Sequence, residues 1–292
     1  ESIECGIKLI RSFHHYHKNF NKTNIITFEG SFHGRTYAAL SAQQNEKYSK
    51  GFGAMLPGFY KIPFNDTEYL RNVTDETTAA ILIETIQGEG GIRPAQLNFL
   101  REIRKICDQN NALMFVDEVQ SGFGRSGKLF AYEWSDVEPD LIAVAKGIGS
   151  GFPMGACLSS DEACIAMNKG SHGSTFGGNP LAVSVGKAVI NEILSDNFLD
   201  NVDKVGRYLW HELKKIENKF DEIVEVRGAG LLLGIKTRNL NTTISKKFEN
   251  NGLLTIPAND NIIRLAPPLI INFDHVDEAI SIIENTLDKF DG

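Results

Sequence analysis

The apolar positions of this chain change period along its length, and those changes mark out its elements. Residues 1–17 open with Ile3, Ile7, Leu9, Ile10 and Phe13 at near-helical spacing. No capping turn precedes that pattern, so it reads as a chain cut at the start of a helix. Short apolar runs follow at 24–28, 59–64 and 79–84, and again at 112–116, 141–145 and 156–159. Runs of this length, bounded by turn residues, read as buried strands. Between them lie helical patterns: an apolar-periodic stretch at 37–42, and a stripe at 96–110 with Leu97, Leu100, Ile103 and Ile106 on one face. Strands alternating with helices predict an α/β/α large domain around a mostly parallel sheet. Helices at 181–194 and about 198–220 come next, and then the pattern shifts. Adjacent strands flank Gly228 and Gly230, a helix covers 244–250, strands cover 253–256 and 262–265, and a closing helix covers 275–290. The chain therefore divides into a large α/β domain over residues 1–189 and a smaller α+β domain over 190–292.

Composition narrows the class of protein. At 292 residues the chain is long enough for two cores, and its 42% hydrophobic and 23% charged content is ordinary for a soluble globular protein. A net charge of -7 argues against a nucleic-acid partner held by bulk electrostatics, but leaves room for a local basic pocket. No apolar run approaches the length of a transmembrane helix and no signal peptide opens the sequence, so no membrane partner is expected and the expected location is cytoplasmic. Cys5, Cys107, Cys157 and Cys164 form no C-x-x-C pair and read as reduced thiols. His14 and His17 stand at metal-compatible i, i+3 spacing. Beside lysine near a helix end, however, His14, His15 and His17 read as a solvated face, and no metal is expected.

Candidate chemistry gathers around two strand ends. The run at 112–116 ends in Asp117 and Glu118, and the run at 141–145 ends in Lys146 followed by Gly147, Gly149 and Gly151. Taken singly, Asp117 reads as a turn cap and Lys146 as a solvated lysine. If the strands are neighbours, the carboxylate and the amine emerge at the carboxyl edge of the sheet, where ligands bind. That pair suits pyridoxal phosphate, which a lysine holds as a Schiff base and an acid steadies at the pyridinium nitrogen. Phe32, His33 and Arg35 lie on a strand-to-helix connection, a place for ligand contacts. Residues 122–127 match G-x-G-x-x-G, but they neither follow a strand directly nor open a helix, which argues against a dinucleotide site. Residues 170–178 read equally as a phosphate cradle or as an ordinary loop. Arg264, inside an apolar strand, calls for a carboxylate of the protein or of a ligand, and Glu89 is a candidate partner.

Seven stretches in order, SFHGRT, IETIQGEGG, MFVDEVQSGFGRSGKLFAYE, VAKGIGSGFPMGA, HGSTFGGNP, RGAGLLLGI and IRLAPPL, resemble the class III (subgroup II) pyridoxal-phosphate aminotransferases. The resemblance runs from residue 1 to the end and implies a fold-type I transferase. It also implies roles. Lys146 would bind the cofactor covalently, and Asp117 would keep its ring nitrogen protonated. Phe32 would stack on one ring face, Val119 would touch the other, and Gln120 would bond near the phenolic oxygen. Ser174 and Thr175 would reach the cofactor phosphate of the neighbouring subunit in a homodimer. Arg264 would bind a substrate carboxylate, Glu89 would neutralise it for the other substrate, and Arg35 would assist with a carboxylate.

The stretch LSAQQNEKYSKGFGAMLPGF is similar to the acetylornithine-specific branch more than to the 4-aminobutyrate or ornithine branches. The implied reaction passes an amino group from N-acetylornithine to 2-oxoglutarate. Succinyl-diaminopimelate, ornithine and 4-aminobutyrate are the alternative donors, and an inactive truncated fragment is the alternative outside catalysis. The family usually has proline where Thr85 stands, a change from which little effect is expected. The chain also begins past the family's glycine-containing phosphate loop, from which weak cofactor binding, or none, is expected.

Overall fold

Successive residues of a strand point to opposite faces, and the central strands of this protein bury both. In the computed structural model, which describes residues 1–289, six strands form one sheet. They are β1 (Asn24–Phe28), β2 (Phe59–Ile62), β3 (Thr78–Glu84), β4 (Leu113–Asp117), β5 (Leu141–Val144) and β6 (Ala156–Ser159). Their order is β2-β1-β3-β4-β5-β6, and all pairs but the last are parallel. Ile25, Ala80, Leu82, Leu113 and Phe115 face one core, built with Ile3, Ile7 and Ile10 of α1 (Ser2–Tyr16) and with Ala38, Ala39 and Ala42 of α2 (Tyr37–Gln43). Ile26, Ile81, Ile83, Met114 and Val116 face the other, built with Phe99, Leu100, Ile103 and Ile106 of α3 (Leu97–Asn110). Strands buried on both faces thus make the middle layer of three, as expected for a parallel sheet.

The antiparallel edge has a simple cause. Only a short 3-10 turn, Lys146–Gly149, lies between β5 and β6. A parallel connection needs a crossover of a dozen or more residues, usually a helix, so the chain doubles back.

Two compact units divide the chain. The first holds Glu1–Thr85, Ala95–Gln120 and Tyr132–Asn191, and ends with α4 (Pro180–Ile193). The second holds the chain from Glu192 onward together with two earlier stretches, Ile86–Pro94 and Ser121–Ala131. Its four antiparallel strands are β7 (Ile223–Ala229), β8 (Leu232–Thr237), β9 (Ile256–Ala258) and β10 (Ile262–Leu265), in the order β9-β10-β8-β7. One face packs on α5 (Phe198–Lys219), α6 (Asn241–Asn250) and α7 (Phe273–Leu287), through Val202, Leu209, Ile244, Phe248, Val276 and Ile283. On the other face, Leu232 and Ile262 meet Ile86 and Ile92. Helices gathered on one face of an antiparallel sheet define an α+β arrangement.

Four expectations need correction. His14 is buried, not solvated, and its Nε2 lies 2.8 Å from the Ala79 carbonyl oxygen. Leu97 is 43% exposed, and Phe99 takes its place against the core. The strand expected at 253–256 forms instead at Ile256–Ala258, where the chain first reaches β10. The closing helix ends at Leu287, and residue Phe290 lies outside the described residues.

Gly6 shows how closely α1 lies on the sheet. A Cβ at this position would fall on the ring of Phe115, itself fully buried in β4. Alanine would gain about 1 kcal/mol of helix propensity, but overpacking a core costs typically ~1–3 kcal/mol. Gly6→Ala is therefore expected to lower the urea midpoint despite the better helix former, and a midpoint at or above that of the unaltered chain would refute the tight contact.

Candidate active site

Parallel register brings the acids to one edge. Glu84 ends β3 directly beside Asp117 at the end of β4, and Asp117 in turn lies opposite Ala143 of β5. The strand carrying Lys146 is thus the neighbour of the strand carrying Asp117. Both carboxylates are buried, and two adjacent buried anions require a counter-charge. His33 supplies it. Its Nδ1 lies 2.8 Å from Asp117 Oδ2, and its side chain is completely enclosed. Burial works to lower the His33 pKa, but the hydrogen bond and charge of Asp117, with the charge of Glu84, hold it above the ordinary value.

Backbone amides complete the cluster. Val119 N–H donates to Asp117 Oδ1 at 3.0 Å, and Phe32 N–H donates to Glu84 Oε2 at 2.8 Å. His33 N–H donates to Gln43 Oε1 of α2 at 3.0 Å. The connection from β1 to α2 is therefore pinned at consecutive residues. Neither Glu84 nor the pairing role of His33 was singled out from sequence. Glu84 carried a usable signal, since it closes an apolar run just as Asp117 does.

Lys146 stands exposed just past β5, with φ +44°. Left-handed backbone at a residue with a Cβ costs on the order of 1–3 kcal/mol and concentrates at functional sites. Gly151 has φ +108°, which its turn requires, and a Cβ at Gly149 would press on Met154 Cγ at 3.1 Å.

The remaining sequence candidates of this unit fall into two groups. The Arg35 guanidinium lies 5.7 Å from the Phe32 ring centroid and 4.3 Å from that of Tyr48, a cation–π stack on the same pinned connection. Val119 and Gln120 follow Asp117 and are half-buried. Ser174 and Thr175 lie in an exposed loop leading to α4, and no hydrogen bond among the described residues links them to the Asp117 cluster. Thr85 is buried, and its hydroxyl lies 3.3 Å from Glu118 Oε1, which also accepts from Tyr132 N–H at 2.9 Å.

In the second unit, Arg264 of β10 and Glu89 form an ion pair, with Nη1–Oε1 at 2.8 Å. Glu89 sits in the turn of a two-stranded ribbon, Ile86–Gln87 with Arg93–Pro94. Ribbon and sheet approach closely, because a Cβ at Gly234 would stand 2.9 Å from Ile92 Cβ. Residues 122–127 open no helix. Arg125 fastens this loop, donating from Nη1 to the Leu231 and Pro267 carbonyls at 3.1 and 2.6 Å, with its pKa pulled down to about 10 by burial.

The profile of the family described as Aminotransferase class-III matches residues 1–287. The chain belongs to this family. The aminotransferase is 47% identical over 282 residues to an acetylornithine aminotransferase of Mesorhizobium japonicum, covering 96% of this chain and 71% of that one. Its fold matches the solved ornithine aminotransferase of Toxoplasma gondii with a TM-score of 0.94 at 29% identity, covering 98% and 70% of the two chains. It matches the N-acetylornithine aminotransferase of Stenotrophomonas maltophilia with a TM-score of 0.83 at 33% identity, covering 99% and 72%. The aminotransferase is a fold-type I transaminase, and its cofactor is pyridoxal 5′-phosphate. The donor set fits that group. A buried carboxylate accepts about four hydrogen bonds, and His33 and Val119 leave Asp117 free capacity for a pyridinium N–H. Among the described residues no helix is long and apolar enough to cross a membrane.

The raised His33 pKa sets a pH dependence. Its contribution to stability is fully present below the unfolded value of about 6.5 and is lost as pH rises through the folded value. In Asp117→Asn the counter-charge is gone while burial remains, so the His33 ring should titrate below the ordinary value. Breaking a buried pair costs ~3–5 kcal/mol, and the loss should be greatest near pH 6 and shrink toward alkaline pH. Ring titration by NMR and urea unfolding of the cofactor-free chain check both statements. A stability gap independent of pH would contradict them.

Proposed function

We propose that this transaminase passes the terminal amino group of N-acetylornithine to 2-oxoglutarate, giving N-acetylglutamate 5-semialdehyde and glutamate. The observation that carries this reading is the Arg264–Glu89 pair. The two substrates make opposite demands, since 2-oxoglutarate brings a distal carboxylate and the acetylated donor brings a neutral amide. Glu89 keeps one-third of its side chain exposed and can turn to water, whereas Arg264, only 10% exposed, needs an anion in its place when the pair opens. An incoming carboxylate can take the arginine from Glu89, whereas the neutral donor leaves the pair closed. The name carried by the 47% identical relative supports the choice of donor.

Pyridoxal phosphate, when bound, supplies an electron sink for the charge left on the substrate carbon once its proton departs. The chain supplies the rest. Asp117, with His33 Nδ1 2.8 Å from its Oδ2, would hold the proton on the ring nitrogen. Lys146 Nζ takes the proton from the amine-bearing carbon of the donor, as a positioned general base. Phe32 and Val119 would confine the ring, Gln120 would bond at its phenolic oxygen, and Arg35 would assist with a substrate carboxylate. Ser174 and Thr175 reach the phosphate held by a second copy, so the active form is a homodimer.

Four outcomes test this reading. The absorbance of the cofactor-loaded protein should bleach with N-acetylornithine and recover with 2-oxoglutarate. A spectrum indifferent to N-acetylornithine, but responsive to ornithine, 4-aminobutyrate or succinyl-diaminopimelate, would replace the donor. Lys146→Ala should lose about 10²–10⁴-fold in turnover, the usual share of general base catalysis. Arg264→Ala should weaken 2-oxoglutarate by roughly 10–100-fold, the loss of one charged hydrogen bond of ~1.5–3 kcal/mol, while changing N-acetylornithine little. Mixing Lys146→Ala with Thr175→Val chains should restore activity if Thr175 serves the other copy, because one site per hybrid is then intact. No rescue would mean that Thr175 acts within its own chain.

A further inference from the structure

Basic side chains of α1 and the loop after it meet at a cavity. Between Glu4 and Glu29 the chain carries no acidic residue, although its net charge is -7. Lys8, Arg11, Lys18 and Lys22 fall in that interval, together with His14, His15 and His17. Arg11, His15 and Lys22 line a cavity of about 550 Å³ with Phe20, Gly58 and Tyr60. Pockets that hold small ligands span roughly 300–1,000 Å³. Asn24, also on its wall, opens β1, and Gly58 immediately precedes β2. The cavity therefore lies at the amino ends of these parallel strands, whereas Glu84 and Asp117 stand at carboxyl ends.

The walls are fixed by bonds that leave donors to spare. Gly58 has φ +88°, and a Cβ there would stand 2.8 Å from the Thr23 carbonyl oxygen, so glycine lets the two segments close. The Gly58 carbonyl accepts from Ile25 N–H at 2.8 Å. Lys22 Nζ donates to the Thr78 and Asn110 carbonyls at 2.9 and 2.7 Å, the second at the end of α3, where a cation is favoured. An ammonium has three donors, so one remains. Arg11 spends less of its capacity. Its Nη2 donates to the Pro57 carbonyl at 2.9 Å, and its Nε is buried without a hydrogen-bond partner. Among the described residues no carboxylate forms an ion pair with Arg11, His15 or Lys22. Asp75 and Glu76 act on Lys22 through space, and Asp75 is already taken by the amide and hydroxyl of Thr77.

Two rings on the same wall stand open. Phe20 is 63% exposed and Tyr60 55% exposed, so each offers an aromatic face that the protein itself leaves uncovered. We propose that this cavity is a binding site for a small aromatic phosphate monoester. The guanidinium of Arg11 presents a planar fork of donors suited to phosphate oxygens, and Lys22 adds its remaining N–H. The aromatic body of the ligand lies against Phe20 and Tyr60, where ring pairs gain beyond the area they bury. His15, whose ring meets Phe20 edge-on at 5.3 Å, closes that side and donates to the phosphate when protonated. The site uses none of the groups that gather around Asp117 and Lys146, so its ligand does not compete with the transamination substrates.

The test is calorimetry of phenyl phosphate with the full chain, loaded with pyridoxal phosphate and then freed of unbound cofactor, beside NMR of its labelled phenylalanine and tyrosine rings. The expected result is saturable binding that shifts the Phe20 and Tyr60 rings and leaves Phe32 unmoved. Arg11→Met should weaken the ester by about 10–100-fold, the share of a charged hydrogen bond. Arg11 also holds the Pro57 carbonyl, so Tyr60→Ser, which removes an exposed ring, provides a second variant and should weaken the ester by roughly 2–10-fold. Phenol, which lacks the charge, and inorganic phosphate, which lacks the ring, should each bind more weakly than the ester. No saturable binding would overturn the proposal. So would an affinity indifferent to both variants, an affinity for inorganic phosphate equal to that for the ester, or shifts at Phe32 in place of Phe20 and Tyr60.

Discussion

A parallel sheet delivers the ends of its central strands to the same edge, and here two of those ends are carboxylates. Glu84 and Asp117 are forced side by side by register, in a layer where an unpaired ion costs several kcal/mol. His33 and the amides of Phe32 and Val119 answer that demand. Much of the local architecture follows. Because Phe32 and His33 are tethered at consecutive amides, the Phe32 ring and the Arg35 guanidinium stacked near it have little freedom to wander.

The second unit meets a charge problem of its own by different means. Arg264 is embedded in a strand, buried among apolar neighbours, and its partner comes from a ribbon more than 170 residues earlier in the chain. Glycine at position 234 lets that ribbon lie close enough to the sheet. Where Asp117 is locked by several donors, Glu89 is one-third open to solvent. The enclosed pair suits a permanent anchor, and the more open pair suits a group that must be displaced in every cycle.

Much of this was legible from sequence wherever a single pattern had one physical meaning. Unbroken apolar runs located the strands, and the acid and amine at their ends marked the candidate site. The pairing of Arg264 with Glu89 was readable because an arginine inside a strand needs an anion. Other features depended on long-range partners. His14 looked solvated among neighbouring histidines until the Ala79 carbonyl of a distant strand met its ring. His33 stood between two better-marked residues, and only the register of β3 with β4 reveals the charge it must balance. The reversal of β6 was implicit in the short distance from β5, but local periodicity carries no strand direction.

The left-handed backbone of Lys146 has an evolutionary corollary. A residue held in a costly conformation is one that stability alone would discard, and glycine at position 146 would relax the turn. Selection for thermal endurance without selection for turnover should therefore erode this position early. Libraries of this chain screened only for solubility or melting temperature are expected to enrich inactive sequences, and a ranking of substitutions by folding energy would mark the most important side chain as a defect.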